Sequence, residues 1–290
     1  MNSENSGIAR IVRGLSVIDG AGVRLHRIIG SPRLNHVDPF VLLDEFKSDN
    51  PKDYIAGFPD HPHRGIETIT YMITGNFRHK DSRGGGGLLS AGCVQWMTAG
   101  RGIIHSEMPE MKDGQLWGYQ LWLTLAARDK MIEPRYQHLN PEDIPVLKTN
   151  RLTVKLISGS YQGTSGPALT QFPVSYFDIA LKKDGLFQLP RSEEENSFLY
   201  VHSGSVSVEV SDQPQQVSAG ELALLAKAAK PGGPAGNAQV SVRGMENESG
   251  FLYFSAIPHN EPIVRGGPFV MNSEEEIRQA FLDYQTGKLF

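Results

Sequence analysis

The sequence predicts an all-β protein: two tandem antiparallel β-barrels of jelly-roll type, closed by a short C-terminal helix. Three observations carry this fold class. Short stretches that mix apolar and polar residues recur along the chain, separated by Gly and Pro turns, which is the pattern of many short strands. The second half repeats the first in weakened form. Tyr200-Val-His-Ser-Gly204 keeps the Tyr-x-x-x-Gly spacing of Tyr71-Met-Ile-Thr-Gly75, and Gly220-Glu221 falls where Gly92-Cys93 does. The length of 290 residues fits two domains of about 150 residues, each large enough to bury its own core.

Taken in order, residues 8–13 and 23–29 alternate roughly between apolar and polar side chains and read as strands. Leu42-Leu43-Asp44-Glu45-Phe46 is a further short strand after a turn at Pro39, and the polar residues 47–54 form a loop. Residues 57–107 organise the first half. They open with Gly57-Phe-Pro-Asp-His61-Pro-His63-Arg-Gly-Ile-Glu67 and close with Gly100-Arg-Gly-Ile-Ile-His105-Ser-Glu107. Between these, Gly84-Gly-Gly-Gly87 lacks the Gly-Lys-Ser/Thr ending of a phosphate loop and reads as a hairpin turn. Residues 88–97 return as a strand, where Trp96 and Met97 either line a pocket or pack in the core. The aromatic residues 116–126 are strand-like. Residues 135–150, with Pro141-Glu-Asp-Ile-Pro145, show little periodicity. The expected division is therefore a first domain over 1–137, a linker over 138–150 and a second domain over 151–290. Within the second, 227–236 is expected to be a mobile loop. Ser273-Glu-Glu-Glu276 is a capping box that starts the helix, with Ile277, Ala280, Phe281 and Tyr284 on one stripe and Gly287 near its end.

The chemistry concentrates at the two ends of 57–107. Residues one apart on a strand share a face, so His61 and His63 project together, as do His105 and Glu107. Three imidazoles and a carboxylate facing one another suit Fe, Mn, Ni, Cu or Zn, and an octahedral ion so held keeps two positions open for substrate and dioxygen. Three of the nine histidines fall in these two segments, whose glycines let backbones approach closely. Glu67 shares the parity of the two leading histidines if the strand is unbroken, which makes it a rival carboxylate to Glu107. Arg64, of opposite parity, and Arg101, between two glycines, read as surface ion pairs. In the second half the positions equivalent to His61, His63 and Glu67 hold Pro190, Ser192 and Asn196, so that barrel has lost the ligands. His202 and His259 stand alone and are expected in solvent or in structural hydrogen bonds.

Composition narrows the function classes. A net charge of −4 offers no basic footprint for direct nucleic-acid binding. The single Cys93 excludes an intramolecular disulfide, fits a reducing compartment, and reads as a small buried hydrophobe. The leading residues are polar without an apolar signal core, and no stretch of 18 apolar residues occurs. The expectation is a monomeric cytoplasmic protein, nuclear as well in a eukaryote, without a membrane partner.

Two long segments, His61-Pro-His63-Arg-Gly-Ile-Glu67-Thr and Gln95-Trp-Met-Thr-Ala-Gly-Arg-Gly-Ile-Ile-His105-Ser-Glu107-Met-Pro, resemble the pirin family of the cupin superfamily. So do Asp38-Pro-Phe-Val-Leu-Leu-Asp-Glu-Phe46, Gly118-Tyr-Gln-Leu-Trp122 and Gly266-Gly-Pro-Phe-Val-Met-Asn272, and the resemblance covers nearly the whole chain. It implies a bicupin whose first barrel holds non-haem iron, Fe2+, through His61, His63, His105 and Glu107, with Glu67 left as an outer or structural group. It places the segment from Asp38 to Phe46 near the mouth of that barrel. It implies an oxygenase of the quercetin 2,3-dioxygenase type, in which a flavonol binds through its 3-hydroxyl and carbonyl oxygens and reacts with dioxygen, releasing carbon monoxide. Glu107 would then be the base for the hydroxyl proton, with Glu67 as the alternate. The same resemblance implies a second class: a metal- and redox-dependent regulator that binds a transcription factor or a metabolic enzyme. A third reading is a metal-stabilised bicupin without turnover.

Overall fold

In the computed structural model, residues 7–210, 214–227 and 239–289 are described, so all of the expected loop 227–236 except Lys227 lies outside the described residues. The chain is two β-barrels and one short helix. It divides into two compact units, Leu15–Pro141 with His259–Phe290, and Met1–Gly14 with Glu142–Pro258. The break in the middle falls inside the segment 138–150. The ends differ from the colinear division that the sequence suggests: the first strand belongs with the later barrel, and the last 32 residues, including the helix, belong with the earlier one.

The earlier barrel is built from two antiparallel sheets. The seven-stranded sheet runs Arg135–Leu139, Val94–Thr98, Ile66–Thr74, Leu116–Thr124, Phe40–Ser48, Val23–Ile29 and Leu15–Asp19 in spatial order. The four-stranded sheet runs Phe58–His63, Ile103–Pro109, Phe77–Asp81 and Gly86–Leu89. Alternation along these strands puts Val23, Leu25, Phe46, Met72, Phe77 and Leu89 into one buried cluster. Asp81 Oδ1 accepts from the N–H groups of Arg83 and Gly85, which turns the chain between Phe77–Asp81 and Gly86–Leu89. The glycine run is thus the hairpin that its sequence suggests.

Residue 65 decides where the strand that carries His61 and His63 ends. Gly65 has φ +79°, and a Cβ there would collide with the Val270 carbonyl oxygen. The chain breaks at this glycine, so Phe58–His63 lies in one sheet and Ile66–Thr74 in the other. Lys130 holds the turn. Its buried ammonium donates to Gly65 O at 3.1 Å, Val270 O at 2.9 Å and Thr124 Oγ1 at 2.8 Å. Burial pushes its pKa down to about 8.

Arg64, expected on the surface, is buried. Its guanidinium donates to Arg101 O, to Leu289 O at 3.0 Å and to Asp283 at 2.7 Å, tying the C-terminal helix to the turn. Parity alone could not show this, because the groups that cover Arg64 come from the far end of the chain. Arg101 does form the surface pair, with Glu133 at 2.9 Å. The helix Glu274–Gln285 is capped as its sequence predicts: Ser273 accepts from Glu276 N–H, and Glu276 accepts from Asn272 N–H. Ile277 and Ala280 are its buried face, while Phe281 and Tyr284 stay partly exposed. It packs beside the hairpin Val264–Gly266 and Phe269–Met271.

The later barrel repeats the plan. Its seven-stranded sheet runs Ile8–Arg13, Glu221–Leu225, Asn196–Ser203, Ser249–Ala256, Val174–Leu181, Leu152–Ser158 and Val146–Lys148. Its four-stranded sheet runs Leu186–Pro190, Gln239–Gly244, Ser205–Glu209 and Gln215–Ser218. Gly220 N–H bonds Val201 O as Gly92 N–H bonds Met72 O, and both glycines sit at φ +84°. This left-handed corner is the reason both halves carry glycine there.

Candidate metal centre

Ladder register brings the predicted ligands together. In the four-stranded sheet His61 lies directly opposite His105, and Ile103 opposite His63. A bulge between His105 and Glu107 shifts the register by one, so Glu107 lies opposite Phe58. The three imidazoles converge: ring centroids are 4.4 Å apart for His61 and His105, 4.8 Å for His61 and His63, and 5.0 Å for His63 and His105. Their ligand atoms lie within 4.8 Å of one another, the one such group of His, Cys, Asp or Glu among the described residues.

Each histidine has its Nδ1 engaged and its Nε2 left over. His61 Nδ1 lies 2.8 Å from Pro59 O, and His63 Nδ1 lies 3.1 Å from Pro268 O. A carbonyl oxygen only accepts, so both Nδ1 atoms carry the hydrogen, and in the neutral ring Nε2 keeps its lone pair. His105 Nδ1 lies 3.4 Å from Nδ1 of His79. The Nε2 atoms of His63 and His105 are buried without a hydrogen-bond partner. Burial drives the pKa of both rings well below the usual imidazole value, so they are neutral and ready to ligate. Three imidazoles whose ligand atoms lie this close, two with a buried and unpartnered Nε2, are what a divalent cation satisfies, and the donor set fits one.

Glu107 is buried beside this group but is not a member of it as placed. Its Oε1 lies 2.6 Å from Thr70 Oγ1, and its Oε2 accepts from Gln120 Nε2 at 3.4 Å. Thr70 Oγ1 is also 2.6 Å from Gln120 Oε1. A hydroxyl has one hydrogen and cannot donate to both oxygens. The ring of contacts closes when Glu107 carries a proton, donates to Thr70, and Thr70 donates to Gln120. Burial likewise raises the Glu107 pKa, against the opposing effects of the Thr70 hydrogen bond and of nearby His61. Loss of that proton frees a carboxylate oxygen for a cation.

Glu67 does not join them. Because the strand is interrupted at Gly65, it belongs to the seven-stranded sheet, opposite Thr98, whose hydroxyl donates to Glu67 Oε1 at 2.7 Å. It is fully buried and does not line the cavity described below. The shared parity with His61 and His63 held only for an unbroken strand.

Two residues that sequence reasoning passed over lie on the histidine face. Phe77–Asp81 pairs with the other edge of Ile103–Pro109, placing His79 opposite Glu107 and Asp81 opposite His105. Directly opposite residues share a face. His79 is buried, its pKa is lowered to about 4 by that burial, and its ring lies 4.8 Å from that of Tyr136, tilted by 33°. The signal was available: His79-Lys-Asp81 has the same one-apart spacing as His61-Pro-His63. Trp96 and Met97 prove to be fully buried core and not lining.

A cavity of about 600 Å³ opens onto His61, His63 and Glu107. Phe46, Phe58 and Phe77 form an apolar wall, with Phe77 5.2 Å from Phe46 and edge-on to Phe58 at 6.4 Å. Leu42, Asp44 and Phe46 line it, as the resemblance implied for that segment. Arg27 is held by both oxygens of Asp44, at 3.0 and 2.7 Å, and by Asp19 at 2.6 Å. Burial raises the Asp44 pKa to about 6 against the pull of Arg27. Asp60, Gln120, Trp122, Arg265 and Pro268 are also among its lining.

Comparison with known proteins agrees with this architecture. The pirin family model matches residues 22–123, and that of the pirin C-terminal cupin domain matches 176–290. A Pseudomonas aeruginosa protein provisionally named quercetin 2,3-dioxygenase is 43% identical over 277 residues, which is 93% of each chain. Human pirin is 40% identical over 271 residues, 93% of this chain and 89% of its own. The crystal structure of a quercetin 2,3-dioxygenase from Acinetobacter baumannii superposes with a TM-score of 0.87 at 31% identity, covering 97% of both chains.

Proposed function

Since the chain belongs to the pirin family, we propose that its earlier barrel holds Fe2+ through His61, His63, His105 and Glu107 and oxygenates a flavonol-like substrate with dioxygen, in the manner of a quercetin 2,3-dioxygenase. The observation that carries this reading is the convergence of three imidazoles, two of them with a buried and unpartnered Nε2, beside a 600 Å³ cavity that His61 and His63 line. When bound, the ion supplies Lewis acidity and a place where substrate oxygen and dioxygen meet.

The protein's own groups do the rest. Phe46, Phe58 and Phe77 take the flat aromatic body of the substrate out of water, leaving its oxygens toward the histidines. Glu107 accepts the hydroxyl proton of the substrate. Thr70 and Gln120 hold the protonated carboxyl in a closed ring of hydrogen bonds, so the proton has a stable place to rest. Glu67, turned toward Thr98, keeps a structural part. A cytoplasmic setting belongs to the same reading and is supported by the one, buried thiol of Cys93.

The test begins with metal analysis of protein purified without added metal, followed by incubation with quercetin and dioxygen. The expected result is one iron per chain and release of carbon monoxide, lost in His61→Ala and His105→Ala proteins that keep their fold. No turnover at full iron occupancy, together with redox-dependent capture of a protein partner, would replace the oxygenase by the regulatory reading.

A further inference from the structure

Part of the cavity wall is supplied by the C-terminal hairpin Val264–Gly266 and Phe269–Met271 and the turn between its strands. Arg265, on Val264–Gly266, lines the cavity with its guanidinium 4.9 Å from the ring centroid of Trp122. Trp122 in turn meets His63 edge-on at 4.8 Å. Gly30 makes room for the arginine: a Cβ there would lie 2.8 Å from Arg265 Nη1.

The two arginines of the cavity differ in what they have to bind. Asp44 and Asp19 are both taken up by Arg27. Among the described residues no carboxylate is ion-paired to Arg265, whose only hydrogen bond is a long one from Nε to Gly267 O at 3.4 Å. Nη1 and Nη2 make no hydrogen bond among the described residues, with Nη1 lying against Gly30. Beside the guanidinium the indole N–H of Trp122 is buried with no acceptor. Both groups donate and neither accepts. A planar oxyanion matches an open guanidinium fork bidentately, whereas a neutral group matches it poorly. The Phe46, Phe58 and Phe77 wall of the same cavity suits an aromatic ring.

We propose that Arg265 and Trp122 form an anion subsite, and that the natural ligand of this cavity is an aromatic anion whose carboxylate or ionised phenol is held by Arg265. This rests on the proposed function only in taking the cavity as the substrate site. It does not require turnover. Arg27, Asp44 and Asp19 are hydrogen-bonded to one another, and the carboxylates of Asp44 and Asp19 also attract Arg265 without pairing with it. Asp60, His61 and Glu107 line the same cavity.

The test compares two probes of one shape, cinnamate and its neutral amide cinnamamide, by calorimetry and tryptophan fluorescence on the full chain, metal-free and zinc-loaded. The protein should bind cinnamate about tenfold to a hundredfold more tightly than the amide, the range for a hydrogen bond to a charged group. In Arg265→Met, which keeps the stem over Trp122, that preference should vanish in metal-free and zinc-loaded protein alike, while amide binding changes less than about twofold. Arg265→Lys should restore part of it, since a lysine keeps the charge but not the fork. Equal binding of the two probes by the unaltered protein, or an undiminished preference in Arg265→Met, would overturn the proposal. Anion preference without flavonol turnover would uphold the subsite and sink the oxygenase. Turnover without the preference would do the reverse.

Discussion

The strands Phe58–His63 and Leu186–Pro190 occupy the same edge of the same four-stranded sheet in the two barrels, and they put that position to opposite uses. In the earlier barrel the inward face carries His61 and His63, joined by His105, His79 and Glu107 from the next two strands. In the later barrel Phe187 lies opposite Val242 and Leu189 opposite Val240, with Val206 and Val208 beyond, all within one contiguous apolar cluster. One fold therefore supports either a filled interior or a polar site beside a cavity. The difference teaches that strand order alone places no ligand. Ligation needs donors on both of two paired strands, and the later barrel lacks them on both.

The strongest way to break that comparison is to cut the metal group from one strand and build it on the other. His105→Ala should lower metal affinity by more than about a hundredfold, beyond the range that loss of an outer partner produces. The companion variant Phe187→His with Leu189→His, which puts imidazoles on the inward face, should gain no site, because Gln239–Gly244 still offers Val240 and Val242. Metal titration of both reads the outcome, and tight binding by the double variant would refute the two-strand requirement.

A second test moves to the filled interior. Phe187→Ala should destabilise the protein by about 3–5 kcal/mol, as large-to-small changes of buried aromatics do, without changing metal stoichiometry. Denaturant unfolding of metal-free protein beside metal analysis of the same sample checks this. A parallel fall in stoichiometry would mean that the two barrels are not separable in this sense.

The smallest expected effect sharpens the picture of the polar face. His79 occupies Nδ1 of His105 and so leaves Nε2 as the ligand atom. His79→Phe keeps a ring against Tyr136 but removes that partner, and should weaken metal affinity by about tenfold with the fold intact. Unchanged affinity in a folded His79→Phe protein would show that His105 needs no such hold.

Legibility followed the range of the interaction. The one-apart spacing of His61 with His63 and of His105 with Glu107 was readable because the strand period is a local property. The glycines at 92 and 220 were readable because a left-handed corner admits little else. Counting back from the shared glycines picks Pro190 and Ser192 as the equivalents of the two histidines, whereas the inward face of Leu186–Pro190 carries Phe187 and Leu189, because strand register and not spacing decides it. Glu67 was misplaced by parity, since the break at Gly65 depends on the approach of Val270, about two hundred residues away by simple difference of numbers.

By itself, then, the sequence determined the strand-rich fold, the repeat, the capped helix and the residue types of the metal group, all of which rest on backbone preferences and side-chain periods spanning a few residues. Tertiary structure alone decided that the leading strand joins the later barrel and that the final hairpin and helix serve the earlier one. It also decided that Pro268 orients His63, that Asp283 closes on Arg64, and that Arg265 walls the cavity. These contacts join residues that are neighbours only in the folded chain, and the register that brings them together is chosen by burial over the whole barrel and not by any short stretch of it.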